Sequence, residues 1–154
     1  MISKVNQITI HTDGACKGNP GIGGWGAVLQ YSGKIKEIYG GELNTTNNRM
    51  ELMAAIQALS KLKYSYKVLL CTDSKYLQNG ILKWLDCWSI NKWKSASRKP
   101  IKNQDLWQKL NIERHRHDIK LKWVKSHSGD SMNELADFLA NKGVLIATGS
   151  ITAT

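Results

Sequence analysis

The chain has 154 residues, an apolar fraction of 42% and a formal net charge of +10. This length and apolar content predict one domain with a sizeable core. The excess of Lys and Arg favours a polyanionic partner, either nucleic acid or an acidic surface, and a basic protein without special specificity is the alternative. The three cysteines stand far apart, and no apolar run could form a signal peptide or span a bilayer. We therefore expect a cytoplasmic protein with reduced thiols and no membrane contact.

The first predicted strand runs from about Val5 to Thr12 and leads into Asp13. Gly14 is expected to break this strand, and a Gly-rich loop over residues 15–21 follows. In open α/β sheets, ligands bind beyond the carboxyl ends of strands, so an acid at this place is a candidate for chemistry. A role as an ordinary turn residue is the alternative for Asp13.

Two apolar runs, Trp25 to Tyr31 and Lys36 to Leu43, predict an antiparallel hairpin. The glycines between residues 21 and 26 indicate a close approach of this backbone to another strand or to a ligand. A helix beginning at Thr46 is predicted next, with Glu51 near its first turn. The spacing from Asn48 to Glu51 fits a capping box, which is the structural alternative for Glu51.

The nearly continuous apolar run from Lys67 to Asp73 predicts a strand that is buried on both faces and parallel to its neighbours. It also ends in an acid. Ser74 can open the short helix predicted from Lys75 to Leu82. A helix cap is the alternative role for Asp73.

Residues 83–102 form a basic patch with a single acid, Asp86. The basic residues are Lys83, Lys92, Lys94, Arg98, Lys99 and Lys102, and they alternate with Trp84, Trp88 and Trp93. Basic side chains neutralise phosphates and exposed aromatic rings stack on sugars or bases, so the patch favours nucleic-acid binding. The alternative is a buried stripe of tryptophans whose lysines are simply solvated.

The last third of the chain predicts a helix from Asp105 to Arg116, a strand, and a helix from Met132 to about Lys142. His115-Arg116-His117 is expected to be an exposed helix end without metal or acidic partners. Ser131 and Glu134 fit a capping box. Asp137 has no such structural explanation.

Four carboxylates could reach one point at the end of the predicted sheet: Asp13, Glu51, Asp73 and Asp137. They cannot crowd together in ionised form without a cation. All-oxygen ligands favour Mg²⁺ or Mn²⁺ over zinc, and two such ions form the usual clamp for phosphodiester cleavage. An acidic site in a basic protein therefore predicts a metal-dependent nuclease.

Several segments closely resemble type I ribonuclease H. They are Thr12-Asp13-Gly14, the block from Thr45 to Leu52, Thr72-Asp73-Ser74, the segment from Trp93 to Trp107, and Lys125 to Gly129 with Asn133-Glu134 and Asp137. The resemblance runs from about Gln7 to Gly143 nearly without gaps, and the run Asn-Asn-Arg-Met-Glu that ends at Glu51 is its most specific part.

This resemblance implies a fold and an activity. The fold is α/β and ribonuclease H-like, a five-stranded mixed sheet in the order 3-2-1-4-5 with helices on both faces. We expect one domain over residues 1–143 and a frayed tail over residues 144–154. The activity is endonucleolytic cutting of the RNA strand of an RNA–DNA hybrid, with 3′-hydroxyl and 5′-phosphate ends, by a protein expected to be a monomer.

The resemblance also implies roles for particular residues. Asp13, Glu51, Asp73 and Asp137 match the family's metal-binding acids, for two Mg²⁺ ions with Mn²⁺ as a substitute. His127 matches a mobile loop histidine that assists proton transfer or product departure. The positions that match substrate contacts are Cys16, Asn19, Asn47 and Asn48 at the minor groove, Thr46 at a DNA-strand phosphate, and Tyr76 and Trp84 at the deoxyribose strand.

Some residues depart from the family pattern. Lys75 stands where a Gln is frequent, and residues 89–91 are less basic than is common in bacterial members. Ser126 and Asp130-Ser131 alter the loop around His127. Three other readings stay open: a nuclease or recombinase of the same fold that acts on DNA, a non-catalytic hybrid-binding module, and a basic interaction protein.

Overall fold

A computed structural model describes residues 7–94, 99–124 and 130–150. Its centre is a five-stranded sheet in the order β3-β2-β1-β4-β5. The strands are β1, Gln7–Gly18; β2, Gly21–Tyr31; β3, Lys34–Thr45; β4, Lys67–Thr72; and β5, Asp118–Trp123. β2 is antiparallel to β1 and β3, whereas β1, β4 and β5 are mutually parallel. The predicted mixed sheet and its order are confirmed.

Helices cover both faces of this sheet. They are α1, Asn47–Ser60; α2, Lys75–Asn79; α3, Leu85–Ile90; α4, Gln104–Arg116; and α5, Ser131–Ala147. A π-helical segment, Gly80–Trp84, joins α2 to α3, so the predicted short helix continues further than expected. Neighbouring residues of β2 identify the two faces, because Gly23 lies against Met50 of α1 and Gly24 lies against Ala140 of α5.

Asp13 lies inside β1 and not at its end. It pairs with Gly26, and the antiparallel ladder continues as far as Gly18. The prediction that Gly14 breaks the strand is therefore wrong, because pairing with β2 holds the segment extended. The parallel pairing with β4, by contrast, ends at His11 opposite Cys71. Asp13 thus stands just beyond the parallel part of the sheet.

The glycines of β2 bring a helix close to the sheet. A Cβ atom on Gly26 would lie 2.5 Å from the Cβ of Leu139 in α5. Gly24 makes a similarly close approach to the backbone of the same helix. The sequence suggested another strand or a ligand as the neighbour of these glycines, and at both positions the neighbour is a helix instead.

Both capping boxes predicted from the sequence are wrong. Thr46 caps α1, and its hydroxyl accepts a hydrogen bond from the backbone N–H of Arg49 at 3.2 Å. Asp130 caps α5, and its carboxylate accepts from two backbone N–H groups, both at 3.0 Å. In a capping box the acid stands three residues after the N-cap, and Glu51 lies two residues beyond that position whereas Glu134 lies one residue beyond it. The structural alternative for Glu51 is thereby removed.

The last helix is longer than predicted. α5 continues to Ala147, and Val144 is buried against the sheet. The boundary expected at residue 143 therefore falls inside a packed helix, and a frayed tail beginning at residue 144 is wrong. Residues 151–154 lie outside the described part of the chain.

His117 is buried, which contradicts the exposed helix end expected there. Its Nδ1 accepts a hydrogen bond from the backbone N–H of Tyr66 at 3.1 Å, and its Nε2 lies 3.6 Å from a carboxylate oxygen of Glu113. Arg116 donates to the carbonyl oxygens of Leu59, in the last turn of α1, and of Leu62, just after that helix. These contacts tie the end of α4 to α1 and to the start of β4, and they supply the acidic partner that the sequence interpretation missed.

Candidate active site

Three carboxylates meet beyond the parallel part of the sheet. Oxygen atoms of Asp13, Glu51 and Asp73 lie within 4.8 Å of one another. Asp13 comes from β1, Asp73 follows the last residue of β4, and Glu51 comes from α1. Asp13 and Glu51 are buried, and Asp73 is half-buried. The structure therefore brings three of the four predicted acids into one cluster.

The position of Glu51 depends on Gly14. A Cβ atom at Gly14 would lie 2.6 Å from the backbone nitrogen of Glu51 and 2.8 Å from the carbonyl carbon of Met50. Only a residue without a side chain allows α1 to approach β1 this closely. One carboxylate oxygen of Glu51 is buried and has no hydrogen-bond partner among the described residues. A buried charged oxygen of this kind is costly unless a cation or a proton compensates it.

Asp73 is not a helix cap. Ser74 caps α2, and its hydroxyl accepts from the backbone N–H of Leu77 at 3.1 Å. The capping alternative for Asp73 is therefore wrong. The last parallel pair of β1 and β4 is His11 with Cys71. Asp13 and Asp73 each stand two residues beyond this pair, so they lie next to each other at the ends of neighbouring strands.

Asp137 joins the cluster from the other face of the sheet. It lies in the second turn of α5, is half-buried, and its side chain is hydrogen-bonded to that of Asp13. It does not belong to the set of three acids whose oxygen atoms lie within 4.8 Å of one another. The side chain of Asp13 thus lies between Glu51 and Asp73 on one side and Asp137 on the other.

The crowding changes the proton affinity of two of these groups. Burial, the charge of Asp73 and the hydrogen bond with Asp137 raise the pKa of Asp13 from 3.8 to about 8. Burial first, and then the charges of Asp13 and Asp73, raise the pKa of Glu51 well above 4.5. Carboxylates that would otherwise have to hold protons at neutral pH are a fitting set of hard oxygen ligands for a divalent cation such as Mg²⁺.

The residues that match minor-groove contacts lie beside the cluster. The side-chain oxygen of Asn19 accepts a hydrogen bond from the backbone N–H of Asn47 at 3.1 Å. This bond joins the turn between β1 and β2 to the start of α1. Asn47 and Asn48 are exposed, and both line a depression that also includes Glu51 and Asp73. The Sγ of Cys16 lies 3.5 Å from a carbonyl oxygen of β3.

The residues that match the deoxyribose channel form one aromatic unit. The rings of Tyr76 and Trp84 pack edge to face with centroids 5.6 Å apart. The hydroxyl of Tyr76 accepts from Trp107 Nε1 at 3.0 Å and from Asn103 Nδ2 at 3.1 Å. These hydrogen bonds orient the ring of Tyr76, which lines a depression together with Asn47 and Asn48 at the start of α1.

A polar network that the sequence interpretation missed holds this unit in place. Arg49 makes a bidentate ion pair with Asp105, at 3.0 and 2.8 Å, and also donates to Asn103 at 3.2 Å. Asn103 has a left-handed backbone with φ of 60°, a conformation that Asn tolerates better than most residues. An Asn two residues before the predicted helix was the available signal, but its partner Arg49 is 54 residues away in the chain.

The basic patch over residues 83–102 has a packed tryptophan stripe as well as exposed lysines. Trp88 packs against Trp84, Trp93 and Trp107 with centroids 5.5 to 6.3 Å apart, so the tryptophans form a packed stripe. The described lysines of the patch are exposed: Lys83, Lys92, Lys94, Lys99 and Lys102. Arg98 lies outside the described residues, as does His127 with the whole of its loop over 125–129.

The sheet order and the buried carboxylate cluster define a nuclease of ribonuclease H-like architecture. The family model described as RNase H matches residues 5–145. A ribonuclease H of Francisella tularensis subsp. novicida is 57% identical over 144 residues, which cover 94% of this chain and 95% of that protein. A ribonuclease H of Chromobacterium violaceum is 56% identical over 140 residues, covering 90% and 95%.

Solved structures agree with this assignment. LC9-RNase H1, described as a type 1 RNase H with the type 2 active-site motif, is 30% identical with a TM-score of 0.82, over 98% of this chain and 76% of that one. The PFV RNase H domain is 26% identical with a TM-score of 0.76, over 90% and 94%. The chain belongs to the ribonuclease H family, as a bacterial type I member, and is therefore a nuclease. No helix within the described ranges has the length and apolar character that crossing a membrane requires.

Proposed function

We propose that the protein is an endonuclease that cuts the RNA strand of RNA–DNA hybrids and leaves 3′-hydroxyl and 5′-phosphate ends. The cluster of Asp13, Glu51 and Asp73 within 4.8 Å carries the proposal, because three crowded acids, two of them buried, serve no evident structural purpose. Family membership supports the reaction. LC11-RNase H1, whose structure was solved in complex with an RNA/DNA hybrid, shares the fold at 23% identity and a TM-score of 0.69.

The acids fit two divalent ions, Mg²⁺ with Mn²⁺ as a substitute. Asp13 and Asp73 would hold both ions, Glu51 one of them and Asp137 the other. When bound, such ions supply an activated water for in-line attack and stabilise the leaving 3′-oxygen. No side chain of the protein then needs to act as a nucleophile.

The acids of the chain have distinct tasks around the scissile phosphate. Asp13, which has contacts with acids on both faces of the sheet, stands nearest to this phosphate. Glu51 presents its unpartnered oxygen, and it also contacts a 2′-hydroxyl of the RNA strand. His127 assists proton transfer or product departure from its loop.

The surface beside the carboxylate cluster binds the RNA–DNA hybrid. Asn47 and Asn48 are exposed next to the acids and contact the minor groove, where the 2′-hydroxyl distinguishes RNA from DNA. The residues that complete this part of the interface are Cys16 and Asn19. Thr46 caps α1, and the positive end of the dipole of this helix favours a phosphate of the DNA strand. The fixed rings of Tyr76 and Trp84 hold the deoxyribose strand.

We further propose that the protein acts as a monomer in the cytoplasm. Its three cysteines are unpaired: Cys71 is buried, Cys16 is half-buried and Cys87 is exposed. Reduced thiols are typical of that compartment. The catalytic domain extends beyond residue 143, because the rest of α5 packs on the same sheet.

One cleavage assay tests the proposed function. The purified protein is incubated with a labelled RNA–DNA hybrid, duplex DNA and duplex RNA, with Mg²⁺ and then with EDTA. We expect cleavage of the RNA strand of the hybrid alone, and only with Mg²⁺. Asp73→Asn should lose this activity, whereas Asp118→Asn, which removes an exposed acid of β5, should retain it. Cleavage of duplex DNA would indicate a DNA nuclease of the same fold, and binding without cleavage would indicate a hybrid-binding module.

A second variant tests the role of His127. We expect His127→Ala to reduce turnover while hybrid binding is retained, because the residue is proposed to act on proton transfer or product departure. Binding is measured as Kd with a hybrid that cannot be cut, and turnover as kcat. Loss of binding with unchanged kcat would contradict the proposed role.

A further inference from the structure

Trp123 is a large apolar side chain that the fold leaves uncovered beside the acid cluster. It is the last residue of β5, is 51% exposed, and pairs with Thr72, the residue directly before Asp73. The tryptophans of the basic patch pack against one another and against Trp107. No aromatic contact of Trp123 occurs within the described ranges. Its indole face is therefore available next to the proposed reaction site.

Lys75 stands next to this indole. Lys75 and Trp123 line the depression that contains Glu51 and Asp73, and together they also line a second depression, which leads away towards Gln78. Lys75 is exposed at the first position of α2 and forms no ion pair within the described part of the chain. An ammonium group and an aromatic face thus lie side by side along the surface that leads out from the acids.

We propose that Lys75 and Trp123 form a ledge that binds one nucleotide of the RNA strand next to the scissile phosphate. The ammonium group binds the phosphate of this nucleotide, and the indole packs against its ribose. The bases of a hybrid are paired and stacked, so the sugar is the apolar surface that the strand offers from outside. The inference rests on the proposed function, because that function places the RNA strand at the acids.

The RNA strand is the better fit for geometric reasons. β5 is the neighbour of β4, whose last residue precedes Asp73, and Trp123 lies at the end of β5 opposite Thr72, so an RNA strand that leaves the acids on this side reaches Trp123. The rings proposed for the DNA strand, Tyr76 and Trp84, are instead packed towards Trp107. An exposed lysine adds a favourable contact with a phosphate at this place, where the neighbouring acids would otherwise repel it.

Steady-state cleavage by Trp123→Ala tests the indole. We expect KM for the hybrid to rise about tenfold, because the apolar contact between the indole and the ribose is lost, and kcat to change little. Trp123→Phe should retain most of the affinity. The matched control is Tyr64→Ala, since Tyr64 is 70% exposed and lies after α1, away from the site. Equal KM values for Trp123→Ala and Tyr64→Ala, in variants with unchanged unfolding transitions, would overturn the proposal.

Lys75→Gln tests the phosphate contact. We expect hybrid binding to weaken and its slope against the logarithm of salt concentration to fall by roughly one. Lys63→Gln, which removes an exposed lysine just after α1, is the control for net charge. An unchanged salt slope for Lys75→Gln would refute the phosphate contact.

Shortened hybrids locate the ledge on one strand. Nucleotides are removed one at a time from the RNA strand on each side of the cleavage site, and in a second series from the DNA strand. We expect the penalty of Trp123→Ala to disappear once the RNA nucleotide on one side is missing. A penalty that depends on the DNA strand, or that persists at every length, would overturn the proposal. If the wild type cut no hybrid, the proposed function would fail, whereas Kd values for the same hybrids would still test the ledge.

Discussion

The substitution Asp13→Asn should stabilise the metal-free protein at alkaline pH while it abolishes cleavage. The pKa of Asp13 is raised from 3.8 to about 8, chiefly by burial and by the charge of Asp73. In the native state the group therefore keeps a proton that the unfolded chain has already released. The free energy of unfolding must then fall as the pH rises from about 4 to about 8, and the full penalty applies above that range.

The magnitude follows from the size of this shift. Each pKa unit corresponds to about 1.4 kcal/mol, so a difference of about four units gives an upper bound of roughly 5 kcal/mol. The neighbouring acids share part of this cost, and a gain of roughly 3 kcal/mol at pH 8 is the expected result for Asp13→Asn. The amide oxygen of Asn can keep the hydrogen bond from the backbone N–H of Gly14, which is 2.9 Å long in the native protein. Its amide NH₂ group can donate to Asp137.

Urea unfolding followed by circular dichroism measures this effect. The wild type, Asp13→Asn and the exposed-acid control Asp118→Asn are compared between about pH 5 and about pH 9 in EDTA. The wild type should lose stability towards alkaline pH, and Asp13→Asn should show a flatter profile. Added Mg²⁺ should stabilise the wild type more than the variant, since ligand binding to the native state raises its stability. A variant that is as pH-dependent as the wild type would refute the reasoning about crowded carboxylates.

Three further results are expected. Gly14→Ala should lower the free energy of unfolding by about 1–3 kcal/mol and reduce cleavage, because its Cβ would lie 2.6 Å from the backbone nitrogen of Glu51. Gly33→Ala is the control: its φ is 77° and nothing lies within 4 Å of the added Cβ, so it should lose stability without losing kcat. Asp130→Ala should cost about 1 kcal/mol of the free energy of unfolding, and Asp130→Ser should restore most of it, because Ser is also a good N-cap. Burial, and then Arg116, lower the pKa of His117 from 6.5, so its ring should stay neutral below that pH in an NMR titration. The stability that the neutral ring contributes is present above pH 6.5 and is lost as the pH falls through the lowered pKa of His117. The free energy of unfolding of His117→Gln should therefore depend less on pH in this acid range than that of the wild type.

The sheet could be predicted because its strands have local signals. The hairpin of β2 and β3 and the apolar run of β4 each mark a strand within a few residues. The extent of β1 could not be predicted in this way. Its Gly-rich second half is extended only because β2 pairs with it as far as Gly18, and a tertiary contact of this kind overrides the local preference of glycine for turns.

The acids could be predicted from pattern and family resemblance, but their neighbours could not. Asp13 and Asp73 follow or end apolar runs, and Glu51 belongs to a distinctive block. The network of Arg49, Asn103 and Asp105 has no comparable signal, because Arg49 is more than 50 residues from both of its partners and each is an ordinary surface residue type. The same holds for His117, whose burial depends on Tyr66 and on the end of α1.

Glu51 and His117 show how a buried titratable group can be assigned to function or to structure. Both are almost inaccessible to solvent, and burial is the leading cause of the pKa shift of each. His117 has a partner for the neutral ring in the backbone N–H of Tyr66, so the fold itself accounts for its burial. Glu51 Oε1 has no hydrogen-bond partner among the described residues, and its nearest carboxylate neighbours only add repulsion. A buried acid in that state costs the fold free energy, so the packing of the chain does not account for it, whereas a bound cation would. A divalent cation is the species that would convert this repulsion into attraction, so the stability lost in the metal-free cluster and the proposed catalysis have a common physical cause.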